Sequence, residues 1–142
     1  MKRKLLIILM AVGSLAGCAS GPSFQEYSAK IAAIPETQGR IYVYRKTAFG
    51  AAIQPKVWLN DQVVGKAVPQ GFFFIDRPPG KYELRTSTEA TRILKFNLQP
   101  GEEKYVRLEI KFGIFAGHVK PVLVDDDVGK VEIAKTKFVD EG

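Results

Sequence analysis

From Gly39 onward, apolar and polar residues alternate with a period of two, broken at short intervals by Gly, Pro, Asn and Asp. That period belongs to strands with one buried face. Arg40-Ile41-Tyr42-Val43-Tyr44-Arg45 is rich in β-branched and aromatic residues and predicts the first strand. Both of its faces are apolar. One of the pairs Ile41/Val43 and Tyr42/Tyr44 must therefore meet something other than the main core. Lys56 to Leu59 predicts a second strand, and Asn60-Asp61 turns it into its partner, Val63 to Ala67. Gly71-Phe72-Phe73-Phe74-Ile75 is continuously apolar, the pattern of a strand covered on both faces.

Past the turn at Arg77-Pro78-Pro79-Gly80 the alternation is regular again. Tyr82, Leu84 and Thr86 share one face; so do Leu94, Phe96 and Leu98 on the next strand, Ile93 to Leu98. After Pro100-Gly101, Val106, Leu108 and Ile110 point inward from Tyr105 to Phe112, with Arg107, Glu109 and Lys111 outward. Val119 to Val124 is a further strand, and Pro121 within it predicts a sheet edge.

The period switches to that of a helix at two places. Phe24, Tyr27, Ile31 and Ile34, within Phe24 to Ile34, form a helical stripe of one to three turns, with Ser23 as N-cap and Pro35 as stop. This helix is the candidate cover for the second face of the first strand. Asp125-Asp126-Asp127 reads as the cap of a short helix over Val128 to Thr136, with Lys135 and Lys137 near its end. Val131, Ile133 and Lys135 would also suit a strand, so that segment stays open. The fold class expected is mostly β: one β-sandwich of about seven or eight antiparallel strands, with a short N-terminal helix and an optional C-terminal one.

Ahead of this domain stands a different pattern. Lys2, Arg3 and Lys4 precede an aliphatic run from Leu5 to Val12, and small residues follow. Charge, apolar run and small-residue site make an export signal. The run is too short for a helix to cross a hydrocarbon core of roughly 30 Å. Leu15-Ala16-Gly17-Cys18 closes it with the chain's single cysteine. The motif resembles the bacterial lipobox. The resemblance implies diacylglycerol on the Cys18 thiol and cleavage before Cys18. With Ala19 rather than Asp next, it also implies sorting to the outer membrane. More than one acyl chain is what a stable anchor needs. The expected organisation is a signal peptide over 1–17, a lipidated N-terminus and tether over 18–23, and the β domain over 24–142.

Charge then changes little. The formal net charge is +6. Lys2, Arg3 and Lys4 leave with the signal, so half of the basicity is a targeting feature and a nucleic-acid partner loses its main support. With Cys18 lipidated, no thiol remains for disulfides or a metal.

The domain itself resembles the DUF2846 lipoprotein family. The residues that carry the resemblance are Gly39 to Arg45, Val57-Trp58-Leu59-Asn60-Asp61 with Val64-Gly65, Phe73 to Asp76 with Pro78-Pro79-Gly80-Lys81-Tyr82, and Gly113-Ile114-Phe115-Ala116-Gly117. They span roughly Gly39 to Val139. The Pro-Pro-Gly-x-Tyr turn also resembles PEGA-type surface domains. Both resemblances speak of fold, and neither implies catalytic residues.

Catalytic and metal patterns are weak. His118 is the only histidine, and no Gly-x-Ser-x-Gly elbow accompanies it. Asp125 to Asp127 are consecutive, unlike an EF-hand loop, and read as a solvated cap. Glu83 and Glu109 sit at outward strand positions. Tyr42, Tyr44, Trp58, Phe72, Phe73, Phe74 and Tyr82 could stack a glycan but read first as core. No catalytic residue, cofactor or metal is expected.

Two loops break the rule that loops are polar. Thr47 to Pro55 holds Phe49 and Ile53, and Gly113 to Gly117 holds Ile114 and Phe115. The first reading is that they plug the ends of the sandwich. The second is a contact patch for the bilayer or an envelope protein. Together these observations predict a lipid-anchored, non-catalytic binding or accessory module on the periplasmic face of the outer membrane. Its partners would be the membrane, through Cys18, and, as a second candidate, an envelope protein. The alternatives are a docking lipoprotein of a secretion or appendage assembly, and an enzyme with an unrecognised site.

Overall fold

The computed structural model describes residues 17–88, 91–114 and 117–140. The chain folds into two sheets and two short helices. The strands are β1 (Gly39–Tyr44), β2 (Lys56–Leu59), β3 (Gln62–Lys66), β4 (Gly71–Arg77), β5 (Gly80–Ser87), β6 (Thr91–Leu98), β7 (Glu103–Phe112), β8 (Gly117–Val124) and β9 (Lys137–Phe138). The helices are α1 (Phe24–Ser28) and α2 (Asp126–Ile133). One sheet has the order β8-β7-β1-β4-β9 and the other β3-β2-β5-β6. The fold is mostly β, as the alternation predicts.

The main core lies between the sheets. Ile41 and Val43 of β1, Phe73 and Ile75 of β4, and Val106 and Leu108 of β7 meet Val57, Leu59, Leu84, Phe96 and Leu98 of the opposite sheet. The other face of β1 is buried too, in a second cluster of Tyr42, Tyr44, Phe72, Tyr105 and Ile133. Phe24, Tyr27 and Ile31 pack onto it from the N-terminal segment. Phe24 meets Tyr42 edge-on at 6.0 Å and Phe72 at 5.0 Å. The two-sided apolar pattern of β1 and of the Phe72-Phe73-Phe74 run thus has its cause. The five-stranded sheet is sandwiched between the second sheet and the helices.

Three features differ in detail from the sequence expectation. The helix starting at Phe24 takes the shortest of the expected lengths, ending at Ser28, and single turns carry Ile31 onward, with Lys30 N–H bonded to Tyr27 O at 2.9 Å. Ser23 caps it as expected, in a reciprocal box with Glu26. The C-terminal segment is helical, but it starts two residues early and places Asp126 and Asp127 in its first turn, where acid suits the helix dipole. Pairing is antiparallel for β1–β4, β2–β3, β2–β5, β5–β6 and β7–β8, whereas β1–β7 and β4–β9 are parallel. Alternation specifies a buried face and is silent on the neighbour's direction. Pro121 lies on β8, an edge strand, where its missing N–H interrupts no second ladder.

The turn before β5 has Gly80 at φ +156. A Cβ there would meet only Tyr82, at 4.0 Å, so the space is open and the constraint is in the backbone. Gly80→Val should therefore lower the unfolding free energy by about 1–2 kcal/mol through strain alone. A urea melt reads it, and an unmoved midpoint would show the turn relaxing without cost.

Candidate functional site

The sandwich has two ends. Lys46 to Pro55, Ala67 to Gln70, the end of β7 and the start of β8 lie at one. The Pro78-Pro79 and Pro100-Gly101 turns lie at the other. Cys18 and both apolar loops belong to the first end, and the features below build it.

Arg45 follows β1 and is buried, 1% exposed. Its Nη1 donates to the carbonyls of Ile53 (2.7 Å) and Ala67 (2.8 Å). Its Nη2 donates to the carbonyls of Phe49 (2.7 Å) and Gly50 (2.9 Å). Burial pulls the guanidinium below its ordinary pKa. No carboxylate touches it among the described residues, so four carbonyl dipoles supply the compensation a buried cation needs. One side chain thereby fixes the path of the 49–53 loop. With Phe49 O turned inward onto Arg45, the Phe49 ring projects outward.

The expected contact residues divide. Ile53 packs against the core and fills the space beside Gly117, so it is a plug. Phe49 is 65% exposed and Ile114 92%. For those two the plug reading fails, because their side chains stand largely in solvent while Ile53 and Ile110 pack against the core. Phe115 lies outside the described residues. Sequence reasoning missed a member of the set, Phe112, which is 59% exposed and meets Phe49 edge-on with ring centres 5.1 Å apart. By strand parity Phe112 belongs with Val106, Leu108 and Ile110. It is exposed because β7 runs past the end of the core. A shallow groove of about 280 Å³ adjoins this patch, lined by the apolar Phe49, Leu108 and Ile110, by Thr47, and by the charged Lys46, Arg107, Glu109 and Lys111.

Cys18 is exposed at the same end. The residues around it, expected as a tether, are bonded down along the domain. Gln54 Nε2 donates to Gly17 O at 3.0 Å and to Ala51 O at 2.8 Å, which joins the Cys18 segment to the 47–55 loop. Ala19 N–H donates to Pro69 O at 2.9 Å, and Phe138 N–H donates to Pro22 O at 2.8 Å. Ser23 bridges to Lys137. The expected signal peptide, 1–17, lies outside the described residues except for Gly17.

Beside the patch, α2 docks through ions. Tyr44 Oη donates to Glu132 Oε2 at 2.6 Å, Lys46 Nζ to Glu132 Oε1 at 3.0 Å, and Arg107 Nη1 to both carboxylate oxygens at 3.0 Å. Arg107 also holds Glu109, which Lys111 reaches at 3.0 Å. Burial alone would raise the Glu132 carboxyl. The bonds from Tyr44, Lys46 and Arg107 outweigh it and hold the group at about 2. Burial, with the bond to Glu132, pushes the Tyr44 hydroxyl up. Every partner in this cluster is engaged, which is the chemistry of a fastening.

The remaining candidates stay apart. Glu83 pairs with Lys95 on one sheet, and Glu109 sits on the other. His118 faces Lys111 across the β7–β8 ladder. Asp125 occupies the N-cap position without a side-chain cap bond. Among the described residues no three of His, Cys, Asp and Glu gather as metal ligands. Tyr42, Tyr44, Phe72 and Phe73 are core, and Phe74 and Tyr82 pack at its margins. Trp58 lies on the outer face of the four-stranded sheet with the Arg85 guanidinium stacked 4.4 Å from its ring centre.

An uncharacterized protein of Haemophilus influenzae, strain Rd, is 29% identical over 96 residues, which cover 67% of this chain and 57% of the relative. The match thus spans little more than half the relative's length. No solved structure matches the chain. Residues 35–120 match the model of the family described as protein of unknown function (DUF2846), and the chain belongs to that family.

Proposed function

We propose that this protein is a lipid-anchored envelope protein, acylated at Cys18, whose domain is a non-catalytic binding or accessory module facing the periplasm at the outer membrane. The observation that carries the reading is Leu15-Ala16-Gly17-Cys18 at the end of a charged and then apolar leader. The exposure of Cys18 supports it, since an acyl chain needs an open thiol. The dispersal of His118, Glu83 and Glu109 supports the absence of catalysis. A docking role in an envelope assembly is the second reading, favoured by the exposure of Phe49, Phe112 and Ile114.

Cys18→Ala should abolish acylation and leave an uncleaved precursor that keeps residues 1–17. Intact mass of membrane-extracted protein checks it. A wild-type mature chain carrying no lipid mass removes the reading.

A further inference from the structure

We propose that Phe49, Phe112 and Ile114 form a membrane-contact face, seated in the headgroup region of the bilayer that holds the Cys18 lipid. This rests on the reading of Cys18 as the acylation site.

The anchor has little slack. A lipoprotein domain on a free tether can take any orientation to its membrane. Cleavage before Cys18 removes Gly17 and its bond to Gln54, but Ala19 stays bonded to Pro69 and Pro22 to Phe138, so the residues that follow Cys18 are held on the domain. A lipid on the Cys18 sulfur can then enter a bilayer only if this end of the sandwich lies against it. The apolar loops are at this end too: Pro69 follows Ala67, and Arg45 ties the Ala67 carbonyl to those of Phe49 and Gly50.

The face itself has the make-up of an interfacial surface. Two Phe rings and one Ile stand out beyond the core with their sides largely bare. Amphipathic surfaces that lie in a bilayer interface pair such residues with Lys or Arg. Lys46 and Lys111 are exposed beside the rings, and Lys56 and Lys66 face each other at the top of the β2–β3 hairpin. The carboxylates nearest the patch, Glu109 and Glu132, are each committed to cations of the domain. Those cations are Lys46, Lys111 and Arg107, three positive charges against two negative, so the cluster keeps one net positive charge, to which Lys56 and Lys66 add, and that suits phosphate headgroups. A protein partner on this face would have to fit between the domain and the bilayer to which Cys18 ties it.

The test uses the full chain, acylated in cells and placed in protein-free vesicles of phosphatidylethanolamine and phosphatidylglycerol with brominated acyl chains. Trp58→Phe removes the native fluorophore, and single tryptophans enter by Phe112→Trp, Ile114→Trp or Gln99→Trp. The first two positions are exposed at the proposed face. Gln99 is exposed at the opposite end, about 20 Å away along six residues of β1. Tryptophan at 112 and at 114 should lose emission to the bromines and shift to the blue, while tryptophan at 99 keeps its emission. Intact mass on the same samples separates the two ideas. No acyl mass overturns the anchor and this inference together. Acylated protein with all three positions unquenched overturns the membrane face alone, as does equal quenching at all three. Shielding that appears only when envelope proteins are added back would assign the face to a protein and overturn the inference as well.

Discussion

Arg45→Met should lower the unfolding free energy by about 3–5 kcal/mol, the range for removing one side of a buried charged contact. Met fills nearly the volume of the Arg stem, so a cavity is not the cause. The loss arises at the acceptors. The carbonyls of Phe49, Gly50, Ile53 and Ala67 all point at one guanidinium, and the bond to Ala67 is fully buried. Water can reach some of them after the change, which keeps the total below four separate penalties. Arg45→Lys should recover only part of the loss, because one ammonium cannot reach carbonyls on both sides of the loop. Urea denaturation of the two variants measures this, and hydrogen exchange at Ile53, whose amide bonds Gly50 O at 2.9 Å, reports the loop itself. A cost under about 1 kcal/mol would show that the carbonyls are satisfied without Arg45.

Arg45 also shows where sequence reading stops. A basic residue at the end of an apolar strand has the pattern of an exposed terminus. Nothing local says that two loops will turn four carbonyls toward it. The strands were legible because burial repeats every second residue, and the double cover of β1 was legible because both its faces are apolar. Pro121 at an edge and Asn60 at φ 51 in its hairpin followed from single-residue chemistry. The parallel partnership of β1 with β7 did not, since it joins strands some 60 residues apart whose patterns suit either direction. At the candidate site, Phe49 and Ile114 were visible as apolar residues within loops. Phe112 was hidden because its strand parity matches the core. The bonding of Gly17 to Ser23 along the domain left no pattern, since it runs through backbone groups and Gln54.

Gly129→Val should lift α2 from the sheet, lower stability by about 2–4 kcal/mol, and weaken the response to acid. A Cβ at 129 would fall on the Cβ, Cγ and Cδ1 atoms of Tyr105. That ring cannot yield. It is 2% exposed, stacked on Tyr42 at 5.1 Å, and its hydroxyl donates to Glu103 Oε2 at 2.7 Å. Replacing Gly within a helix gains up to about 1 kcal/mol of propensity, less for a β-branched residue. Overpacking a core contact costs about 1–3 kcal/mol, and an undocked α2 adds the lost burial of Ile133. The clash therefore wins. The acid response identifies the mechanism. Glu132 is held at about 2 against its ordinary 4.5. A depressed carboxylate stabilises the fold above its unfolded pKa, and that stabilisation fades as pH falls from about 4.5 toward 2. In the wild type, denaturant midpoints should thus drop through this window. With α2 lifted, Glu132 leaves Tyr44, Lys46 and Arg107, its carboxyl returns to the ordinary range, and much of that drop disappears. Val131→Ala, on the 63% exposed side of the same helix, should leave both stability and acid response nearly unchanged. If Gly129→Val loses stability but keeps the full wild-type drop between pH 4.5 and 2, the helix has stayed docked and Tyr105 has moved instead.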